Sequence, residues 1–297
     1  MAFAKAVRKK AKLRLALTGP SGSGKTLGAL MIAKGIGGRI ACIDTEHGSA
    51  SLYSDVVDFD VMELAPPYTP ERYIAAIKEA ENAGYDVLII DSTTHEWSGS
   101  GGVLELVDQV ASAKFRGNSW SAWNELTPRH RAFIDAMLQS RMHIIATGRS
   151  KTETAQIEEN GRKKVAKLGM KTEQRDGFEY EFTVVLDIVH DGHYAVASKD
   201  RTGLFRGDAK PISEDTGKAL VGWLESGAEV KEPTHEPQPA GVYMDDAMLT
   251  LRECADIPSL QSAFASLWKA ATPDQKAELK AAYDTRKTEL EPQKEAA

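Results

Sequence analysis

Cysteine is nearly absent from this chain of 297 residues, with Cys42 and Cys254 the only two. Two residues so far apart exclude a disulfide framework and a zinc site, and both are expected to be structural. Long apolar runs are also missing. None approaches the roughly 18 residues of a membrane span, and the opening stretch has basic residues without an apolar segment leading to a cleavage site. A cytoplasmic protein with no membrane contact is therefore expected. Positive charge in excess is a third absence, because the formal net charge is −6 and a surface coated in cations is excluded. What remains is ordinary: 42% hydrophobic and 27% charged residues suffice for a sizeable packed core.

The cations are unevenly placed, which matters more for binding a polyanion than their total. One cluster is an N-terminal arm with Lys5, Arg8, Lys9, Lys10, Lys12 and Arg14 and no acidic residue. The second runs from Arg149 to Arg175, where Arg149, Lys151, Arg162, Lys163, Lys164, Lys167, Lys171 and Arg175 face only Glu153, Glu158, Glu159 and Glu173. Asn160-Gly161 marks a hairpin tip inside it, which would put Arg162 to Lys164 at an exposed end able to meet phosphates. No aromatic residue lies in that stretch to stack on bases. Trp97, Trp120 and Trp123 fall in other segments read as loops; tryptophan is more often core, though these three could also stack on unpaired bases.

Short apolar runs alternate with helix-like segments, the pattern of an α/β fold with a mostly parallel sheet. Strands are expected at 13–17, 40–43, 59–62, 87–90 and 143–146, and helices at 25–35, from about 70, at 103–110 and at 128–138. The runs 182–189 and 194–197 flank Asp191-Gly192, so the sheet should end in an antiparallel hairpin, followed by a helix at 216–224. Residues 228–241 hold three prolines and no apolar period, the mark of an extended linker. The expected organisation is a basic arm at 1–11, a core at 12–227, that linker, and a helical module at 242–297.

The strongest motif is Gly19-Pro20-Ser21-Gly22-Ser23-Gly24-Lys25-Thr26, a match to G-x-x-x-x-G-K-[ST] set between an expected strand and an expected helix. Its glycines free the backbone to point N–H groups at a phosphate, Lys25 brings a mobile charge to the β- and γ-phosphates of ATP, and the Thr26 hydroxyl suits Mg²⁺. A second ligand for the metal is expected at the end of a neighbouring buried strand, and Asp91 in Asp86-Val-Leu-Ile-Ile-Asp91 supplies it. A group to orient or deprotonate the attacking water is also needed. Glu46 and Glu96 are the candidates, and Glu46 is preferred.

That preference comes from a resemblance. Ile43-Asp44-Thr45-Glu46-His47 resembles the stretch carrying the catalytic glutamate of RecA-type recombinases, whereas an AAA+ arrangement would put a glutamate where this chain has Ser92. Lys199 and Arg201, in Ser198-Lys199-Asp200-Arg201, look like the basic pair that RecA-type and DnaB-type ATPases extend to the γ-phosphate of an adjacent subunit. With GPSGSGKT, CIDTEHGS, DVLIIDS, ATGRSKTE and SKDRTGLF together, the chain resembles the phage-encoded RecA-like P-loop ATPases, a group that includes single-strand annealing recombinases with a shortened core. The resemblance implies a RecA-like fold, DNA-stimulated ATP hydrolysis in the host cytoplasm, self-association into a ring or filament, and single-stranded DNA as partner, with a single-strand-binding protein as a further one. It implies DNA contacts from Arg149, Lys151, Arg162, Lys163, Lys164 and Lys167. A short basic arm stands where long recombinases have a helical N-terminal domain, so annealing or single-strand binding is expected rather than strand exchange on duplex DNA. A small-molecule P-loop kinase and a slow nucleotide-gated helicase loader are the alternatives.

Overall fold

The computed structural model describes residues 5–159, 162–207, 209–228 and 244–290, with side chains left out over 152–170 and at 245, 273 and 274. The chain divides into two compact units, 1–229 and 230–297. In the first, the described strands are β1 (Arg14–Gly19), β2 (Ile40–Asp44), β3 (Asp60–Glu63), β4 (Val87–Asp91), β5 (His143–Glu159), β6 (Arg162–Thr172), β7 (Val184–Ile188), β8 (Tyr194–Asp200) and β9 (Lys210–Pro211). Between them run α1 (Lys25–Ile36), α2 (Pro70–Asn82), α3 (Thr94–Ser98), α4 (Val103–Lys114), α5 (Ser119–Gln139) and, after β9, α6 (Glu214–Glu225).

The sheet order is β3-β2-β4-β5-β1-β7-β8-β9. Its first six strands are parallel and β7, β8 and β9 pair antiparallel, so the mixed α/β architecture with a terminal hairpin is the one expected, and it is a P-loop NTPase fold. The central strands read as unbroken apolar runs because both their faces are covered. Leu88 and Ile90 of β4 join the core under α2 and α5, while Val87 and Ile89 join the core under α1 and α6. Helices α1 and α6 touch backbone to backbone: a Cβ on Gly35 would lie 2.0 Å from the Glu214 carbonyl, and one on Gly217 2.2 Å from that of Ile32. Only glycine fits at that crossing.

Three expectations need correction. Arg14 is no arm cation; it is a β1 residue only 8% exposed, its guanidinium donating to the carbonyls of Leu13, Leu138, Ser140 and Met142. Helix α5 starts not at Pro128 but after Asn118, whose side chain accepts from Ser121 N at 3.3 Å. A proline at a helix's first turn and one carried within it look alike in sequence, and here the asparagine cap sets the start. Consequently Trp120 and Trp123 lie on α5 and Trp97 on α3, not on loops.

Past Arg149, β5 leaves the main sheet and pairs with β6 in a two-stranded antiparallel ribbon that places Glu159 opposite Arg162. The expected tip Asn160-Gly161 lies outside the described residues, as do the side chains of Arg162, Lys163, Lys164 and Lys167 and most of the linker. In the second unit α7 (Met244–Glu253), α8 (Ile257–Ala270) and α9 (Pro273–Leu290) bury Ala247, Leu251, Leu260, Ala271 and Leu279 together. No helix among the described residues is long and apolar enough to cross a membrane.

Candidate functional site

Parallel register delivers several polar residues to one edge of the sheet. Gly19 lies opposite Arg149, and Asp44 opposite Asp91, all at carboxyl ends of adjacent strands, where open α/β sheets take their ligands. The loop from Gly19 to Gly24 then turns into α1, with Gly22 at φ 76° and Gly24 at φ 90°, a left-handed backbone that side-chain-bearing residues rarely adopt. A cavity of about 790 Å³ opens there. Polar residues Lys25, Thr26, Glu46, Asp91 and Arg149 line it together with the apolar Met31, Tyr53, Ile188 and Ile212.

Lys25 Nζ donates to the carbonyls of Gly19 at 3.0 Å and Pro20 at 2.8 Å, folded along its own loop. Burial lowers its pKa, with Asp91 and Glu46 pulling the other way. Thr26 Oγ1 donates to Asp91 Oδ2 at 2.6 Å, and Thr147 of β5 donates to the other Asp91 oxygen. Burial raises the Asp91 carboxyl, and those two hydroxyls oppose it. A hydroxyl and a carboxylate side by side form the oxygen pair that Mg²⁺ takes when phosphates and water complete its shell. The anion cradle fits as well: Ser23 Oγ is buried with no hydrogen-bond partner, and a Cβ on Gly19 would meet it at 2.5 Å. Among the described residues no group of three or more His, Cys, Asp or Glu could hold a metal by itself.

Glu46 is aimed at the cavity by its neighbours. Asp44 accepts from Glu46 N at 2.6 Å and from Ala50 N at 3.0 Å, tying down the loop after β2. Ser92 Oγ donates to Glu46 Oε1 at 3.2 Å, and Arg149 grips both carboxylate oxygens, Nε reaching Oε1 at 3.1 Å. Burial alone would raise the Glu46 pKa, but Arg149, His95 and Ser92 together hold it below the usual value. Glu96 has the opposite surroundings. It is fully buried on α3, 3.0 Å from His130 Nδ1, and burial raises its pKa against that histidine. It does not line the cavity.

Arg149 is thus a residue of this site rather than of an exposed ribbon, because β5 is still in register with β1 at that point. Lys151 is the next outward-facing cation, 3.5 Å from Glu173. Lys199 and Arg201 are not among the cavity's lining residues. Lys199 donates to the carbonyls of Glu179 and Tyr180, and Arg201 follows the end of β8, its N–H bonded to Thr183 O at 3.1 Å. Three contributors escaped sequence reasoning. Thr147 directly follows the apolar run of β5, a hydroxyl facing Asp91. Asp44 precedes the glutamate whose loop it clamps. His193, in the β7–β8 turn, meets the Ser23 carbonyl at 2.9 Å and so covers the phosphate loop; only the Asp191-Gly192 turn hinted at it.

The model of the AAA domain family matches residues 11–210, about two thirds of the chain. No curated protein matches it.

Proposed function

We propose that this chain, which belongs to the AAA domain family of nucleotide-binding ATPases, is a phage-type RecA-like enzyme that hydrolyses ATP with Mg²⁺ while bound to single-stranded DNA, in annealing, recombination or replication. One observation carries the catalytic part: Lys25, Thr26, Asp91 and Glu46 line a single cavity beside the phosphate loop, with apolar Met31, Tyr53 and Ile212 also in its wall. Lys25 swings from its loop carbonyls to the β- and γ-phosphates. Thr26 and Asp91 hold Mg²⁺, which when bound offsets the charge growing on the phosphate oxygens. Glu46, held below the usual carboxylate range by Arg149, orients the attacking water and accepts its proton. Glu96 is sealed from that cavity and has no such part.

Lys199 and Arg201 do not line their own subunit's cavity, which supports a role toward a neighbouring copy in a ring or filament. The DNA part rests on the family resemblance and on the ribbon of β5 and β6, which carries Arg162, Lys163 and Lys164 away from the sheet. A second reading has an observation of its own: the Arg149–Glu46 ion pair suits a slow nucleotide-gated switch, such as a helicase loader, that stays closed until a partner opens it.

ATP turnover separates these readings. Lys25→Ala should abolish hydrolysis, and unchanged hydrolysis would sink the phosphate-loop assignment. Single-stranded but not duplex DNA should raise turnover by about tenfold or more; no response to either favours the switch. Arg201→Ala and Lys25→Ala, each inactive alone, should regain activity when mixed, because some interfaces then join an intact phosphate loop to an intact Arg201. Mixed oligomers that stay inactive would refute the trans arrangement.

A further inference from the structure

A second cavity, of about 830 Å³, lies between α3, the first turns of α5 and the segment after β6. Its walls differ in kind from those of the nucleotide cavity. Trp97 and Trp123 stack at 5.8 Å between centroids and 28° between planes, and Trp97 also meets the buried His130 ring edge-on. These two indoles therefore have packing roles in the cluster with Val103, Val107 and Leu126. Trp120 does not. One turn before Trp123 on α5, it is 83% exposed, the most exposed large hydrophobic side chain among those described. An indole left in water beside an aromatic wall calls for an occupant.

The rim is cationic on the side facing the tryptophans. Arg175 lies over the Trp123 ring at 5.7 Å, and Lys151 and Lys171 stand on the facing strands of the ribbon, opposite each other in register. Glu173 and Asp176 pair with these lysines at 3.5 and 2.7 Å, leaving the lining one positive charge in excess. Flat apolar faces flanked by cations match a strand that offers a base face and a phosphate together. A duplex does not match, because its bases already cover one another's faces.

We infer that this groove is a base-stacking subsite for single-stranded DNA, with Trp120 as its exposed face, Trp97 and Trp123 as its packed wall, and Lys151 and Arg175 meeting the flanking phosphate. The inference rests on the DNA reading above but assigns the bases to a place that the ribbon's cations do not provide. Gln174 links the groove to the nucleotide site: it is buried between them and donates to the Thr93 carbonyl at 3.1 Å, two residues past Asp91.

The test uses the full chain and an oligothymidylate, read by tryptophan fluorescence and by an independent binding assay. Quenching on titration and about tenfold weaker binding by Trp120→Ala are expected, with Trp120→Phe restoring most of the loss, because one stacked base is worth that much. The salt slope of Trp120→Ala should match that of the parent, since a stack releases no counterions. Trp120 is exposed, so the variant should fold, as retained ATP binding would show. If Trp120→Ala binds as tightly as the parent, the groove is wrong while the DNA reading stands. If Trp120→Phe is as weak as Trp120→Ala, stacking is refuted. If the parent itself binds no oligothymidylate, the DNA reading falls and the groove with it.

Discussion

The two ends of the central strands both carry ionisable side chains, and the way those side chains are satisfied differs completely. At the carboxyl ends, Lys25, Glu46, Asp91 and Arg149 bond to one another, to hydroxyls and to loop carbonyls around an open cavity. At the amino ends, Arg14 is closed over four backbone carbonyls and His143 Nδ1 accepts the Leu13 N–H at 3.1 Å, with both residues 8% exposed. Side chains that complete a backbone fix the fold. Side chains that share protons around a cavity can exchange those partners for a ligand. Charge in the sequence does not separate the two kinds, because both appear as a cation beside an apolar run.

Opposite variants at the two ends should give opposite phenotypes, and this is the largest effect expected. Glu46→Gln keeps the side chain's size and most of its hydrogen bonds, so ATP should still bind and the melting point should hold, while turnover falls at least about a hundredfold. Arg14→Ala takes the guanidinium donor from the Leu138, Ser140 and Met142 carbonyls, while Leu13 O keeps the Ile144 N–H, and should cost about 3 kcal/mol of stability. Arg14→Lys should rescue only part of that, since an ammonium cannot serve the carbonyls around a planar fork. Folded molecules of either Arg14 variant should turn over ATP normally. A Glu46→Gln protein that hydrolyses like its parent, or an Arg14→Lys protein as stable as its parent, would erase the distinction.

How much of this was legible depended on how local the signal was. The phosphate loop, Asp91 and Glu46 could be named because each is a short pattern on a strand end, and parallel strands bring their ends together without further information. Thr147 needed the register of β4 with β5, which no local pattern gives. Arg14 and Arg149 were read as members of charge clusters, because neighbours in sequence share a composition but not a direction: β1 buries Arg14, and β5 keeps Arg149 in the sheet before the ribbon begins. The ribbon is announced only by its expected hairpin tip, Asn160-Gly161, and not by the two strands on either side. Charged and polar residues dominate its sequence, so it lacks the apolar run that announces the other strands. The antiparallel hairpin of β7 and β8 was legible from its turn, whereas its position over the phosphate loop was not.

His143 extends the comparison to pH. Burial, and then Lys12 and Arg14 nearby, push its pKa down from 6.5 to about 4, so the folded protein keeps it neutral. Below pH 6.5 the unfolded chain takes up a proton there and the folded chain does not. Stability should therefore fall as pH drops from about 6.5 to about 4, by on the order of 3 kcal/mol from this residue. His143→Asn offers an acceptor without the titration, so denaturation midpoints followed across that window should flatten. An equally steep loss in the variant would assign the pH dependence to other groups.

The smallest expected effect is the one that tests how open the carboxyl-end site is. Arg149 both positions Glu46 and opposes the rise in pKa that its burial would otherwise bring. Removing the guanidinium in Arg149→Ala leaves burial as the largest influence, so the Glu46 pKa should rise. Because only the ionised carboxylate can accept a proton from water, the acid limb of the kcat/KM profile should move to higher pH in the variant, with the alkaline limb in place. Arg149→Lys should give an intermediate limb, since it retains a charge but cannot bridge both carboxylate oxygens. An acid limb that does not move in either variant would mean that the ion pair is already broken in the free enzyme, or that the group titrating in that limb is not Glu46. Glu46→Gln decides between these two, because it abolishes the limb only if Glu46 is the titrating group.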